Sequence, residues 1–180
     1  FMNFKLFFSL KILLNPFSFL DIGCGNGWVV RKMSKMNQCT DTIGIDGAKS
    51  MIKKAILKDK KSQYLQLDIN NLTNFQHKSD IVFSMEVFYY LINPEATINY
   101  IFTHILKQGG CCIIGVDHYL ENTASLKWKN DLNVDMCTYS ISEWQTILEK
   151  VGFDNIKISQ FGRTKDWEGT LVLYGEKTIN

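Results

Sequence analysis

The sequence lacks the features that mark membrane-spanning and metal-binding proteins. Its longest stretch without Asp, Glu, Lys or Arg runs from Ala96 to Leu106, whereas a membrane-spanning helix needs roughly 20 apolar residues. The five cysteines include no CxxC pair and the three histidines are not clustered, so no zinc motif is visible. We expect no membrane span, no metal site, and reduced thiols that fill apolar space, as in a cytoplasmic protein.

Internal repeats, low-complexity tracts and linkers are also missing, and the composition is that of one globular domain. Apolar residues make up 46% and charged residues 21% of the chain, which excludes a disordered or fibrous protein. With 180 residues, a folded chain removes roughly 70% of its surface from water, so one core suffices. We expect a single domain over residues 1–180.

The apolar amino-terminal stretch allows two interpretations. Phe1–Leu20 contains only two charges, Lys5 and Lys11, which is compatible with a secretory signal. A strand and a glycine-rich turn follow at once, however, which favours a packed helix over Phe4–Leu14 that ends at Asn15 and Pro16. Because the chain opens with Phe1, we expect this amino-terminal cap to be short or truncated.

Charge is distributed unevenly along the chain. Residues 1–62 carry a net charge of +7 and the remainder −5, and six lysines lie between Lys49 and Lys61. A nucleic-acid surface is one interpretation. The lysines lie opposite the apolar stripe of one predicted helix, without interleaved aromatic or arginine residues, so we favour a solvated face and expect no nucleic-acid partner.

Apolar runs alternate with helical periodicity from Phe17 onward, which predicts an α/β fold with helices on both faces of a sheet. The predicted parallel strands are short and rich in branched or aromatic residues: Phe17–Ile22, Thr42–Asp46, Tyr64–Asp68, Asp80–Met85 and Gly110–Val116. The predicted helices carry one apolar face each: Trp28–Met36, Ser50–Leu57, Pro94–Lys107 ended by Gly109 and Gly110, and one that starts with a Ser140–Glu143 capping box and ends at Gly152.

Two features of the second half bear on function. Asn155–Phe161 and Thr170–Tyr174 are separated by a short polar turn, which predicts an antiparallel hairpin. The irregular stretch Asp117–Tyr139 is long enough to be a lid or binding loop. His104 lies beside the apolar stripe of its predicted helix, so we expect a surface or half-buried residue there and no catalytic role.

The turn after the first strand is the clearest sign of a ligand site. Phe19–Gly27 reads FLDIGCGNG, an apolar strand followed by an acid and three alternate glycines. Glycine permits positive φ and lets backbone approach a ligand closely. Ligands of such sheets bind at the carboxyl ends of the strands, so Asp21 and the glycines are candidate binding residues.

Acids also end the next two predicted strands. Asp46 follows the glycine turn by about 20 residues, where a carboxylate can accept hydrogen bonds from ribose hydroxyls. Asp68 occupies the same place on the third strand. Local turn capping explains any one of the three acids but explains all three poorly. A rim of this charge favours a ligand with hydroxyls, amines or positive charge.

With these motifs the chain resembles the class I methyltransferases that use S-adenosylmethionine, in particular the small-molecule group called type 11. The resemblance covers residues 17–176 and rests on the order of six segments: FLDIGCGNG at Phe19, IGIDGAKSMIKKA at Ile43, LQLDI at Leu65, DIVFSMEVFYYL at Asp80, LKQGGCCII at Leu106 and EKVGF at Glu149. It implies a three-layer Rossmann-like sandwich, whose seven-stranded, mostly parallel sheet has the order 3-2-1-4-5-7-6 with the last strand antiparallel.

The resemblance also implies which residues hold the cofactor. Gly23 and Gly25 would lie against its methionine part, with Asp21 near the ammonium, and Cys24 belongs to the same cofactor-binding set. Asp46 and Gly47 would lie at the ribose. The remaining implied contacts are made to the adenine and below the sulfonium: Met51, Asp68, Ile69, Ser84 and Met85.

The acceptor site is expected after the fourth and fifth strands. His118 is the best candidate for a base, because its unperturbed pKa lies near neutrality, although a purely polar loop role is equally compatible. Glu86, Tyr89 and Tyr90 could face the acceptor, and Tyr90 could instead belong to the core. We expect Trp128 and Tyr119 to form a lid.

Methyl transfer to a small-molecule acceptor by in-line displacement is therefore the predicted function. A nicotinamide-dependent oxidoreductase is less favoured, since the glycines are spaced GxGxG instead of GxGxxG and Asp68 has no use there. A non-catalytic cofactor-binding partner subunit is the second alternative, because cofactor residues alone do not prove turnover. The oligomeric state is not predicted.

Overall fold

The computed structural model describes residues 15–73 and 75–179, so the predicted helix over Phe4–Leu14 lies outside the described residues. Within them, seven strands form one sheet in the order β3-β2-β1-β4-β5-β7-β6. In chain order the strands are β1 (Phe17–Ile22), β2 (Cys39–Asp46), β3 (Gln63–Gln66), β4 (Ser79–Met85), β5 (Leu106–Val116), β6 (Asp154–Phe161) and β7 (Thr170–Glu176). Only β7 runs antiparallel to its neighbours, β5 and β6. The predicted order, the antiparallel last strand and the carboxy-terminal hairpin are confirmed.

Five α-helices are formed by the described residues: α1 (Trp28–Met33), α2 (Lys49–Lys58), α3 (Pro94–Tyr100), α4 (Trp128–Asp131) and α5 (Ile141–Val151). The predicted ends of α5 are confirmed, because Ser140 and Glu143 form a reciprocal capping box and Gly152 ends the helix at φ 102°. None of the helices in this described part is long and apolar enough to cross a membrane. The lysines of α2 and the turn after it are exposed.

The prediction of a helix over Pro94–Lys107 is confirmed as far as Ile105 and is wrong for the last two residues. Helix α3 ends at Tyr100, one π-helical turn spans Ile101–Ile105, and β5 already begins at Leu106. Gly109 and Gly110 therefore lie in a strand. A Cβ on Gly110 would come within 2.6 Å of the Asp80 carbonyl oxygen, so close strand pairing requires glycine at this position. His104 is exposed, as predicted.

Side chains alternate between the two faces of the sheet and bury them in separate clusters. On one face Leu20 and Ile22 pack with α3 and α5, which contribute Ile98 and Trp144. On the other, Phe17, Phe19 and Phe83 pack with Val29 and Met33 of α1. Strand β3 is the exception, because it is an edge strand in which only Tyr64 is buried. The predicted three-layer α/β architecture is confirmed.

Candidate functional site

The turn between β1 and α1 has the geometry that a close ligand requires. Gly23, Gly25 and Gly27 all have positive φ, at 77°, 54° and 75°. A Cβ on Gly23 would lie 2.1 Å from the Val87 side chain, and one on Gly27 would lie 2.5 Å from Tyr64, so protein packing explains glycine there. A Cβ on Gly25 meets nothing within 4 Å. The backbone of Gly25 therefore borders open space that a ligand can fill.

Asp46, at the end of β2, connects this turn to the neighbouring strand. Its Oδ2 accepts a hydrogen bond from the Gly25 N–H at 2.8 Å, and its Oδ1 accepts from the Ala48 N–H at 2.7 Å. A carboxylate has about four lone-pair positions, so two remain for hydroxyl donors. Asp46 is thus held in place by backbone while retaining the capacity to bind a diol.

Asp21, at the end of β1, is 2% exposed. Burial, followed by the nearby charge of Asp46, raises the pKa of Asp21 to about 8. A buried carboxyl beside a second carboxylate favours a positively charged ligand, because a cation relieves both effects. This charge preference agrees with the ammonium group expected near Asp21.

The remaining predicted cofactor residues lie around the same edge of the sheet in different environments. Asp68 and Gly47 are exposed and Met51 is 37% exposed, so these residues border solvent or a ligand. Cys24 and Ile69 are buried at 4% and 9% exposure. Ser84 is also buried and its hydroxyl donates to the Ile22 carbonyl at 2.7 Å, which joins β1 to β4.

The surroundings of Met85 and Asp68 differ from a simple ligand-binding role. A Cβ on Gly115 would lie 2.3 Å from the Met85 sulfur, so the thioether packs over β5 with the second hydrophobic cluster. Asp68 accepts from the Asn70 N–H at 2.9 Å, which is local turn capping. Asp46 makes the same type of bond to Ala48. Both acids therefore cap a turn, and this bond leaves acceptor positions of each carboxylate free for a ligand.

A cavity of about 320 Å³ lies behind Ile69, between the segment after β3 and α3. Its lining includes Asn71, Thr97 and Tyr100. The Asn70 carboxamide oxygen accepts from the Ile92 N–H at 2.9 Å and joins the two walls. The cavity borders the site through Ile69.

A second group of acids lies where β4 and β5 end. Glu86 directly follows β4 and has a positive φ of 61°, which is uncommon for a residue with a side chain. Its Oε2 accepts from the Tyr89 hydroxyl at 2.9 Å. Burial and the charge of Asp117, which follows β5, raise the pKa of Glu86 to about 8. Two adjacent carboxyl groups therefore face each other at this edge of the sheet.

His118 is 1% exposed and both of its ring nitrogens are engaged. Nδ1 lies 3.1 Å from the Ser125 carbonyl oxygen and Nε2 lies 2.7 Å from the Thr138 hydroxyl. Because a carbonyl only accepts, Nδ1 donates, and the neutral ring accepts from Thr138 at Nε2. Burial lowers the pKa of His118 further. This geometry disfavours the predicted role of His118 as a base and makes it an anchor of the loop.

Aromatic rings form a continuous row beside these acids. Consecutive ring centroids are 4.4 Å apart for Tyr90 and Tyr89, 5.7 Å for Tyr89 and His118, 6.4 Å for His118 and Trp128, and 5.9 Å for Trp128 and Trp167. Tyr90 is 41% exposed, and Trp128 and Trp167 are half-buried. We call these five rings the aromatic row. Tyr89 and His118 are buried, so the surface that the row offers to a flat or cationic molecule is made by the exposed parts of Tyr90, Trp128 and Trp167.

Tyr119 does not belong to that surface. It is fully buried, and its hydroxyl donates to the Gly169 carbonyl at 3.0 Å and accepts from Gln160 at 2.9 Å. A side chain held in this way is part of the core, so the structure separates it from Trp128. The expected two-residue lid is thus reduced to Trp128.

Sequence reasoning missed Asp117, Asn122 and Trp167. Asp117 follows a predicted strand in the same way as Asp21 and Asp46, so the rule that found those acids also applies to it. Trp167 lies in the polar turn of the carboxy-terminal hairpin and reaches the site only because β7 pairs with β5. No local signal marks that contact.

Comparisons with known proteins agree with this geometry. A family model described as a methyltransferase domain matches residues 3–158. Protein 235L of Invertebrate iridescent virus 6, named as a methyltransferase, is 34% identical over 101 residues, which are 56% of this chain and 37% of that protein. The matched part of the chain thus spans little more than a third of that relative.

Solved structures share the fold. A chain from the complex between the Haloferax volcanii Trm112 methyltransferase activator and a methyltransferase superposes with a TM-score of 0.77 at 24% identity, over 94% of this chain and 88% of that one. An S-adenosylmethionine-dependent methyltransferase from Mesorhizobium loti gives a TM-score of 0.75 at 16% identity, over 89% and 91%. The chain therefore belongs to the methyltransferase domain family, and it shares its fold with S-adenosylmethionine-dependent methyltransferases of known structure.

Proposed function

We propose that this protein transfers the methyl group of S-adenosylmethionine to a small-molecule acceptor by in-line displacement. The acceptor would lie between the glycine turn and the aromatic row. The observation that carries the proposal is the adjacency of two different surfaces at one edge of the sheet. The ends of β1 and β2 present the open Gly25 backbone and Asp46. The ends of β4 and β5 present Glu86 and the aromatic row.

The donor side follows from the residues described above. Asp46 would accept from the ribose hydroxyls, Asp21 would face the ammonium, and the Gly25 backbone would approach the methionine part. Asp68 and Ile69 would border the adenine. When bound, S-adenosylmethionine supplies a methyl group that its sulfonium already activates.

The protein's contribution to such a reaction is mainly alignment and the exclusion of water. Holding two reactants in line can supply roughly 7 to 11 kcal/mol of the barrier reduction. The aromatic row suits this task because rigid rings position a small molecule at low entropic cost. Tyr90 is 41% exposed, so a small molecule can reach this end of the row from solvent.

Radiolabelled methyl transfer to a panel of small metabolites tests this proposal. We expect label to appear in a small-molecule fraction, and Asp46→Asn to abolish transfer because one of its two acceptor oxygens is replaced by a donor. Asp154→Asn is the matched control, since Asp154 is exposed at the start of β6, at the edge of the sheet opposite the glycine turn. Label found only in a macromolecular fraction of a cell extract would contradict a small-molecule acceptor.

A further inference from the structure

Three buried oxygen atoms near the ends of β4 and β5 have no donor in good hydrogen-bonding geometry among the described residues, although the Glu86 carboxyl interacts with the backbone and the carboxyl of Asp117. They are Glu86 Oε1, Asp117 Oδ1 and Asn122 Oδ1. A buried acceptor without a donor destabilises the fold, and more so when it is charged. Glu86 can share a proton with Asp117 only while its own carboxyl is protonated, so once Glu86 is ionised these acceptors need a donor from outside the chain.

Asn122 gives evidence that is independent of the two acids. Its side chain is fully buried, and its Nδ2 donates to the Asp117 carbonyl at 2.7 Å. That bond fixes the orientation of the carboxamide, because a carbonyl cannot receive a hydrogen bond from Oδ1. The Asn122 oxygen is therefore an acceptor held beside Asp117 without a partner in the described part of the chain.

The position of these acceptors adjoins the donor side of the site. The Glu86 N–H donates to the Gly115 carbonyl at 2.9 Å, which fixes the residue over the junction of β4 and β5. The next residue, Val87, fills the space beside Gly23 of the glycine turn. A group bound by Glu86 therefore lies next to the turn expected to contact the methionine part of the cofactor.

Tyr89 links the acids to the aromatic row. Its hydroxyl donates to Glu86 Oε2, while its ring contacts those of His118 and Tyr90. A ligand that satisfies the remaining Glu86 oxygen therefore has aromatic faces beside it. Aromatic faces attract cations, so the carboxylates and the rings favour ligands of the same charge.

We propose that the methyl acceptor is a small amine with an apolar or aromatic body, whose ammonium group is bound by Glu86, Asp117 and Asn122. This inference rests on the proposed function and names its substrate class. An ammonium group carries up to three N–H donors, which matches three orphaned acceptors in number and in charge. A neutral alcohol offers one donor and leaves two of the acceptors unpaired.

The same residues account for the proton in the transfer. The ammonium first gives one proton to the Glu86 carboxylate, which frees the nitrogen lone pair. The nitrogen then forms a bond to the methyl carbon as the carbon–sulfur bond breaks, and the electron pair of that bond stays on sulfur. The methylated amine and S-adenosylhomocysteine result, and Glu86 later releases its proton to solvent.

The pH dependence of amine binding follows from the groups around Glu86. Asp117 faces it from the end of β5, Tyr89 and Tyr90 from the helical turn after β4, and His118 through Tyr89, while Asp21 ends the neighbouring β1. Because the pKa of Glu86 is raised to about 8, its carboxyl is mainly protonated below that pH. Alkylammonium groups titrate near pH 10, so amine affinity should rise from about pH 6.5 to about pH 8.5.

Calorimetry with two matched probes tests the inference. The protein is saturated with S-adenosylhomocysteine and titrated with phenethylamine or with 2-phenylethanol, which share the aromatic body and differ in the amine. We expect the amine to bind at least about tenfold more tightly at about pH 8.5. Glu86→Gln and Asp117→Asn should each remove most of this preference. Glu149→Gln, on the exposed side of α5, should retain it.

The outcomes separate this inference from the proposed function. Equal affinity for the two probes, no binding of the amine, or an amine preference that survives both substitutions would overturn the inference, provided that S-adenosylhomocysteine still binds. Failure of the wild-type protein to bind S-adenosylhomocysteine would instead contradict the donor site. Because each variant is titrated with S-adenosylhomocysteine as well, a folding defect is recognised by the loss of both ligands.

Discussion

Gly25 has a left-handed backbone conformation and also borders the open space proposed for the cofactor. Gly25→Ala places a Cβ in the space assigned to the cofactor and also strains a left-handed backbone, at a cost of about 1 kcal/mol. Gly162→Ala is a matched control, since Gly162 has φ 74° and a Cβ at this position would likewise meet nothing within 4 Å. We expect similar losses of unfolding free energy in both variants, and a tenfold or greater loss of S-adenosylhomocysteine affinity only for Gly25→Ala. Equal ligand affinity in the two variants would contradict a close approach at Gly25.

The raised pKa of Asp21 predicts that the stability of the ligand-free protein depends on pH. Its pKa is raised from 3.8 to about 8, so the folded state holds a proton that the unfolded chain has lost. Raising the pH from about 6.5 to about 7.5 therefore lowers the free energy of unfolding, by up to about 1.4 kcal/mol from this group alone. Urea denaturation should show a smaller decrease in Asp21→Asn. An identical pH slope in both proteins would argue against a buried, protonated Asp21.

The candidate site was predictable at residues whose role depends on local sequence. The glycine turn and Asp46 are marked by spacing from a strand, and the bond between Asp46 and Gly25 follows from parallel pairing of β1 and β2. The environment of His118 was not predictable, because Ser125 and Thr138 reach it from a loop without periodicity. The pairing of Glu86 with Asp117 depends on the sheet order, which brings together residues 31 positions apart.

At the scale of the elements, the segment between β5 and α5 determines one wall of the acceptor site. Trp128, the first residue of α4, stacks on His118 and Trp167. Trp128→Ala should weaken phenethylamine and 2-phenylethanol alike, by about three- to tenfold, because a ring contact contributes about 0.5 to 1.5 kcal/mol to either probe. S-adenosylhomocysteine affinity should stay nearly unchanged.

Leu132→Ala is the control for this segment, since Leu132 is 55% exposed at the end of the same helix. It should leave all three affinities unchanged. A loss confined to S-adenosylhomocysteine in Trp128→Ala would place the ring on the donor side instead. The roles proposed for Glu86 and Trp128 are thereby distinguished. Glu86→Gln should lower the affinity for the amine alone, whereas Trp128→Ala should lower the affinity for both probes.

The ends of an element were predictable where a capping residue marks them. They were less predictable where a helix passes directly into a strand and the side chains on both sides of the boundary are buried. The Ser140 capping box and Gly152 fix both ends of α5. Between Ile98 and Leu106 the apolar pattern stays helical, yet Ile105 is the last residue of a π-helical turn and Leu106 begins β5. Both side chains are buried in either conformation, so hydrophobicity does not mark the boundary. Pairing of β5 with β4 decides it.

At the scale of the whole molecule, ligand binding should be visible as added stability. A ligand present at about 100 times its dissociation constant stabilises the folded state by about 2.7 kcal/mol. For a domain of this size each kcal/mol raises the Tm by about 2 to 4 °C, so S-adenosylhomocysteine should raise it by about 5 to 10 °C. Asp46→Asn should abolish the increase and NAD should produce none. An equal increase with NAD would contradict the assigned cofactor.

Because β7 runs antiparallel, the two halves of the sheet contribute to different parts of the proposed site. Strands β1 to β3 carry the residues proposed to bind the nucleoside, whereas the hairpin formed by β6 and β7 supplies Trp167, which stacks on Trp128. Residues at the hairpin tip can therefore diverge without disturbing the glycine turn. Substitutions in this one short surface turn can therefore change which acceptor is bound, while the residues proposed to bind the methyl donor stay the same.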